Sequence, residues 1–391
     1  MTSEYRICTR CVMDTTDPEI EFDKQGVCNH CHDYDRLMEQ KTIRGEAGKH
    51  YLEGLVEKMK QDGQNRPYDC IIGVSGGVDS TYVAYHVKRM GLRPLAVHMD
   101  NGWDSELAVK NIEKTLKRLG IDLYTEVLDW EEFKDLQVAF LKASTPDSEI
   151  PSDHAIWAVL GDMADILKVR YIVSGFNVRT ETHLPRAWSY GHFDWKYIRS
   201  VYQQFGQGSL NTYPYIGFLT YYRRLLKHHR VDILNYIDYD KNEAMKLLEN
   251  ELGWRYYGGK HHESIYTRFY QGYILPVKFG YDKRRCHYSS LVCSGELTRK
   301  AALEELKKPA YAPSQQEEDR EYVIKKLGLS EAEFEAIMAA PKKSFWDYPS
   351  YSHFVEGPLM QGIYIRARDW YRTRQKRQHQ ASPEEDRRVE A

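Results

Sequence analysis

Asp69 to Ser80 reads DCIIGVSGGVDS, and this stretch decides the fold. Cys70–Val74 is a short apolar run of the kind found in strands buried on both faces. Ser75-Gly76-Gly77 makes a tight turn. Val78-Asp79-Ser80 then opens a helix whose apolar face carries Val83, Val87 and Met90. A strand, a turn of small residues and a helix N-terminus together form an anion cradle, because main-chain N–H groups and the helix dipole point at phosphate. Ser75 and Ser80 add hydroxyl donors, Gly76 and Gly77 let the backbone come close, and Asp79 is a magnesium ligand by type. Working outward, Arg93–Met99 is a second strand ending at Asp100, followed by a helical pattern over 104–119. Leu123–Leu128 is a third strand, 153–168 is helical, and Arg170–Ser174 is a fourth strand ending at Gly175. Alternating strands and helices predict a doubly wound parallel α/β sheet, which binds ligands at its strand C-termini. Ser75–Ser80, His98–Asn101 and Gly175–Asn177 then share one edge.

The loop is neither G-x4-G-K-[ST] nor G-x-G-x-x-G. SGGVDS resembles the signature of the PP-loop ATP pyrophosphatases, a superfamily with the adenine nucleotide alpha hydrolase-like fold that includes NAD synthetase and tRNA-thiolating enzymes. The resemblance implies that the turn holds the pyrophosphate of ATP and that AMP passes to a substrate oxygen. Residues 175–181, GFNVRTE, are similar to a G-T-x-x-x-x-E stretch of NAD synthetase, although Phe176 departs from its threonine. That similarity implies that Glu181 is a second magnesium ligand and that His98 and Met99 contact adenosine. Asp100, Gly175 and Asn177 join the nucleotide-binding candidates.

Upstream, Cys8/Cys11 and Cys28/Cys31 are two C-x2-C pairs with the spacing of a four-cysteine zinc site. A segment this small buries no core, so a structural zinc ion would supply its folding energy. His30 and His32 are read as bystanders. Seven cysteines are an odd number and suit ligands or core thiols better than disulfides. The composition sets wider limits. The 391 residues allow two or three domains, and Lys+Arg 55 against Asp+Glu 57 argues against a globally basic nucleic-acid binder. No apolar run reaches the ~20 residues that span a bilayer. MTSEYRICTRC has no apolar secretory core, so a cytoplasmic protein is expected.

Beyond residue 183 the chain is rich in aromatics, histidine and arginine. Arg268, Lys278, Lys283, Arg284, Arg285 and His287 are candidates for meeting phosphate or carboxylate. YRICTRCVMDTTDP, SGGVDS and KHHESIYTRFYQGYILPVKFGYDKRRCHYSSL together resemble the N-acetyl sugar amidotransferase family, from about Tyr5 to Ala340. That resemblance implies conversion of an acetamido group of a nucleotide-activated sugar to an acetamidino group. The setting would be bacterial surface-polysaccharide or flagellar-glycan synthesis, with ammonia from a separate glutaminase partner. It further implies an O-adenylylated intermediate with Asp79 and Glu181 on magnesium. Lys278 or Lys283 is the candidate cation at the α-phosphate, chosen by residue type, and His262 or Glu263 the proton acceptor. The expected organisation is a zinc knuckle over 1–40, an ATP-binding α/β domain over 41–240, a mainly helical substrate region over 241–365 and a basic tail over 366–391. Two other readings compete: a PP-loop tRNA-modifying enzyme of thiolation or lysidine type, and a zinc-bearing adaptor that binds ATP without turning it over. The absence of a cysteine pair after the loop and the net charge of -2 weigh against the first. An intact Asp79 weighs against the second.

Overall fold

The structure, a computed structural model, describes residues 4–258 and 263–352. Five parallel strands form one sheet in the order β3-β2-β1-β4-β5. They are β1 Cys70–Gly73, β2 Pro94–Asp100, β3 Asp122–Val127, β4 Tyr171–Ser174 and β5 His229–Asp232. Cys70 sits opposite Pro94 on one side and Tyr171 on the other, so β1 is central. Four of these strands fall within a residue or two of their expected bounds. The fifth is short and three-quarters polar or charged, HRVD, which hides it from hydropathy.

Strand periodicity divides the core in two. Ile71, Leu95, Val97 and Ile172 face one side, where helices Trp130–Ala143 and Ile150–Ile166 pack. Cys70, Ile72, Ala96 and Val173 face the other, where helices Val78–Arg89 and Glu106–Leu119 pack. Side chains alternate across a strand, so adjacent residues of β1 serve opposite cores. The chain steps from β1 to β2 on one side and returns to β4 on the other. That reversal opens a crevice at the carboxyl edge between β1 and β4, the place where ligands enter such sheets.

The boundary at 240 is not a structural one. Helix Lys241–Leu252 buries Ala244, Leu248 and Leu252 in the same core as Val83 and Val87, so the α/β layer extends one helix further. The later helices are not detached either. Tyr266, Phe269, Ile274 and Leu275 join the core that contains Ile71. Residues Tyr270–Phe279 form a π-helix with Pro276 inside it, a wide turn in which the proline's missing N–H is tolerated. The N-terminal knuckle packs Met13 and its cysteines against Trp188 and Cys286. The expected tail, 366–391, lies outside the described residues.

Candidate functional site

The turn after β1 is shaped by two glycines. Gly76 has φ +77°, and a Cβ there would sit 2.6 Å from the Ala108 carbonyl oxygen, so only glycine lets the turn pass under helix Glu106–Leu119. The Trp254 indole N–H donates to the Gly76 carbonyl at 2.9 Å and fixes the turn from the far side. Gly175, at the end of β4, closes on the turn from across the crevice. A Cβ at Gly175 would lie 3.2 Å from the Asp79 carbonyl carbon. Inside the turn, the Ser75 and Ser80 hydroxyls lie 3.3 Å apart, the Ser75 N–H donates to Ser80 Oγ, and the Gly77 N–H points at Ser75 Oγ. The hydroxyls are thus held beside the first turn of helix Val78–Arg89, whose dipole favours an anion there.

A cavity of about 180 Å³ opens on this turn, lined by Ser75, Gly77, Asp79, Ser80 and Gly175 together with Glu181, Lys241, Tyr257 and Glu263. Residues far apart in sequence therefore meet at one point. Glu181 arrives on the short helix Val178–Glu181, which Asn177 caps by accepting from the Thr180 N–H at 2.9 Å. Asn177 itself is 1% exposed and caps the helix that carries Glu181. Asp79 is oriented by the Tyr239 hydroxyl, which donates to its Oδ1. Burial and the Asp79 charge push the Tyr239 phenol well above its ordinary pKa, so it stays a donor. The Tyr257 hydroxyl accepts from the Val78 N–H at 3.3 Å. Three carboxylates at one anion cradle are a hard-oxygen donor set, which fits a divalent cation such as magnesium.

Lys241 is the cavity's lysine and was missed in the sequence. It is the first residue of helix Lys241–Leu252, after the Asp240 cap that accepts from the Glu243 N–H. The Asp-Lys pair at a helix start was the available signal; nothing local tied it to a loop some 160 residues away. Tyr239 and Tyr257 were missed for the same reason.

Several expected site residues are engaged elsewhere. His98 is buried, donates through Nδ1 to the Val74 carbonyl at 2.9 Å and pairs with Asp104 at 3.1 Å. Burial draws its pKa down, but Asp104 outweighs burial and raises it. Met99 points into the sheet core, and Asp100 accepts from the Gly102 N–H. None of the three lines the loop cavity. Lys278 does not reach it either: its ammonium donates to Ser144 Oγ at 2.7 Å and to the Ile337 carbonyl, and burial lowers its pKa to about 8. Lys283 pairs with Glu149 at 3.1 Å. Arg268 forms a two-pronged pair with Asp319, both bonds at 2.7 Å. Arg284 folds onto Asp282 and the carbonyls of Leu306 and Lys308. Arg285 pairs with Asp14 at 3.0 Å and donates to the Val12 carbonyl at 2.7 Å. His287 lies beside Tyr288. Each cation met a nearby acid or carbonyl, which residue type alone does not foretell. His262 lies outside the described residues. Glu263 does line the cavity, and its carbonyl accepts from the Ser105 N–H at 2.8 Å.

The four knuckle cysteines are fully buried, and their sulfurs lie within 4.8 Å of one another. Cys8–Cys31, Cys11–Cys28 and Cys28–Cys31 are separated by 3.8, 3.6 and 3.7 Å. A tetrahedron with Zn–S near 2.3 Å has sulfur-to-sulfur edges of about 3.8 Å, so the cluster fits zinc. Amide N–H groups of Arg10, Cys11 and Cys28 point at Cys8 Sγ. His30 and His32 turn away to Asp17 and Asp23. Cys293, not foreseen, stands 3.8 Å from Cys31 and 3.6 Å from the His183 ring nitrogen.

Residues 263–361 match the family model of the LPS biosynthesis protein WbpG-like C-terminal domain. The tRNA-specific 2-thiouridylase MnmA of Pediococcus pentosaceus is 28% identical over 137 residues, 30% of this chain and 36% of that protein, so the match spans about a third of the relative's length. Among solved structures, NMN synthetase from Francisella tularensis aligns with a TM-score of 0.27 at 18% identity, over 34% of this chain and 56% of the other. An NH3-dependent NAD synthetase from Campylobacter jejuni aligns with a TM-score of 0.27 at 15% identity, over 56% and 84%. Among the described residues no helix is long and apolar enough to cross a membrane.

Proposed function

From a WbpG-like C-terminal domain joined to a parallel α/β layer with an anion-binding turn, we propose an ATP-dependent amidotransferase. It would convert an acetamido group of a nucleotide-activated sugar to an acetamidino group, using ammonia from a glutaminase partner, in surface-polysaccharide synthesis. The single observation that carries this reading is the cavity that joins the Ser75–Ser80 turn to Asp79, Glu181, Lys241 and Glu263.

The chemistry follows from those residues. The turn's amides and the Ser75 and Ser80 hydroxyls orient the pyrophosphate of ATP. Asp79 and Glu181 would hold magnesium, which would offset the charge of that leaving group. The amide oxygen attacks the α-phosphorus and pyrophosphate departs, leaving an O-adenylylated imidate. Lys241, rather than Lys278 or Lys283, supplies the cation beside the phosphorus. Ammonia adds to the imidate carbon, Glu263 accepts the proton it sheds, and AMP leaves with the former amide oxygen. Tyr239 keeps Asp79 aimed. Zinc held by Cys8, Cys11, Cys28 and Cys31 would be structural, because four protein ligands leave no open position. Cys8→Ser is expected to reduce bound zinc from about one per chain to none by elemental analysis.

The test is incubation with ATP, magnesium, ammonium and UDP- or CMP-linked N-acetyl sugars, followed by AMP assay and product mass spectrometry. AMP together with a sugar in which NH replaces the acetamido oxygen supports the reading. The MnmA similarity favours a second reading, tRNA modification, and AMP release that responds to tRNA and to no sugar would establish it instead.

A further inference from the structure

A second and larger hollow, about 430 Å³, lies where the knuckle, the 145–150 segment, residues 186–190 and residues 342–346 meet. Its walls are aromatic. Trp188 and Tyr281 stack at 4.9 Å with 14° between their planes, and Tyr190 lies 5.7 Å from Trp346. Such faces pack against flat rings and the apolar sides of sugars. Trp188 is 0% exposed, yet its indole N–H has no hydrogen-bond partner among the described residues. A buried donor left without an acceptor costs about 1–3 kcal/mol, a cost that a ligand oxygen reaching it would offset.

The same lining holds a fixed acceptor. Asp147 is 3% exposed, accepts from the Ser189 hydroxyl and is faced by His192 at 3.6 Å. Burial alone would raise its pKa, but the charges of Lys283 and His192 hold it well below the usual carboxylate range. The mouth is cationic and exposed. The Arg186 guanidinium lies 4.4 Å over the Tyr190 ring, the Lys342 ammonium donates to the Phe279 carbonyl at 3.2 Å, and Lys343 lies 5.3 Å from the Tyr348 ring. A hydrogen bond ties the helix that begins at Ile150 to the end of β2. Ser152, just beyond Ile150, accepts from Asn101 Nδ2 at 2.9 Å, and Asn101 follows the last residue of β2.

We propose that this hollow is the binding site for a nucleotide-activated N-acetylated sugar, with its rings between the aromatic walls, a sugar hydroxyl donating to Asp147, a ligand oxygen accepting from Trp188, and the diphosphate or phosphodiester at Arg186, Lys342 and Lys343. The volume suits such a ligand. The proposal rests on the sugar amidotransferase reading and supplies the substrate contacts that Arg268, Arg284 and Arg285 do not.

The test is titration calorimetry of the full chain with a panel of UDP- and CMP-linked N-acetyl sugars, alongside sugar-dependent AMP release. In Arg186→Ala/Lys343→Ala, the Kd and KM for the sugar nucleotide should rise at least about tenfold while ATP affinity stays unchanged. Both substituted residues are exposed, so loss of fold does not confound the result. Trp188→Phe keeps the stack and removes the donor, and should weaken the sugar nucleotide about tenfold, with unfolding curves recorded in parallel. A wild-type enzyme that releases AMP in response to a sugar nucleotide whose KM the rim variant leaves unchanged would overturn the hollow and leave the function standing. A wild-type enzyme that responds to no member of the panel would overturn both.

Discussion

The Ser75–Ser80 turn and the cation-rich segment 263–306 both carry groups that bind anions, and the structure uses them in opposite ways. In the turn, the groups are amides and short hydroxyls held by chain geometry, and their partners are neutral hydroxyls of the turn and of Tyr257 rather than charged groups. In the segment, they are long flexible cations, and each described arginine has found an acid or a carbonyl: Arg268 with Asp319, Arg284 with Asp282, Arg285 with Asp14. Arg285 and Arg299 go further and hold the backbone of the cysteine knuckle, Arg299 donating to the carbonyls of Cys8 and Cys11. Anion-binding chemistry written into backbone shape survives folding, whereas the same chemistry carried on side chains depends on what folds against it.

Substitution can break this contrast. Asp79→Ala should cut AMP release by about a thousandfold with the fold intact, since the lost group is expected to hold the metal; an unaltered rate would remove Asp79 from the chemistry. Arg268→Ala should destabilise the chain by about 3 kcal/mol by leaving Asp319 buried and unpaired. Its turnover per folded molecule should be unchanged, as read by urea denaturation beside the AMP assay. Lys241→Ala and Lys278→Met sharpen the comparison. The first should lower kcat about tenfold at unaltered stability, and the second should spare kcat; the reverse pattern would return the cation's role to Lys278. The last test concerns pH. Burial draws the His192 imidazole down, but Asp147 and Asp153 overcome that and raise it to about 10. Lys283 faces Asp147, and His154 donates to the His192 carbonyl. A raised pKa gives stability that is complete below about 6.5 and lost as pH climbs through 10. The thermal midpoint should therefore drop across that window, and His192→Gln should flatten the slope.

The parts legible in the sequence are those set by local pattern. The apolar run of β1, the small-residue turn and the paired cysteines each announce themselves within a few residues. Glu181 and Glu263, both readable as candidates in the sequence, line one cavity with Asp79. Lys241, Tyr239 and Tyr257 are not readable there, because they reach the turn only through packing of the layer beyond β5. His98 and Met99 show another limit. Their place at the end of a central strand was readable, but whether a side chain there faces a cleft or lies under the adjoining turn depends on the neighbouring loop, and here the Val74 carbonyl and Asp104 hold His98 down.

The arginine clamp on the knuckle has a consequence for biosynthesis. Arg299 holds carbonyls 291 and 288 positions upstream, and a chain made at about 5–20 residues per second takes on the order of tens of seconds to cover that interval. Throughout it, the four N-terminal thiols are outside the ribosome without their seat. Any gathering of those thiols around an ion in that interval precedes the helices that later enclose them.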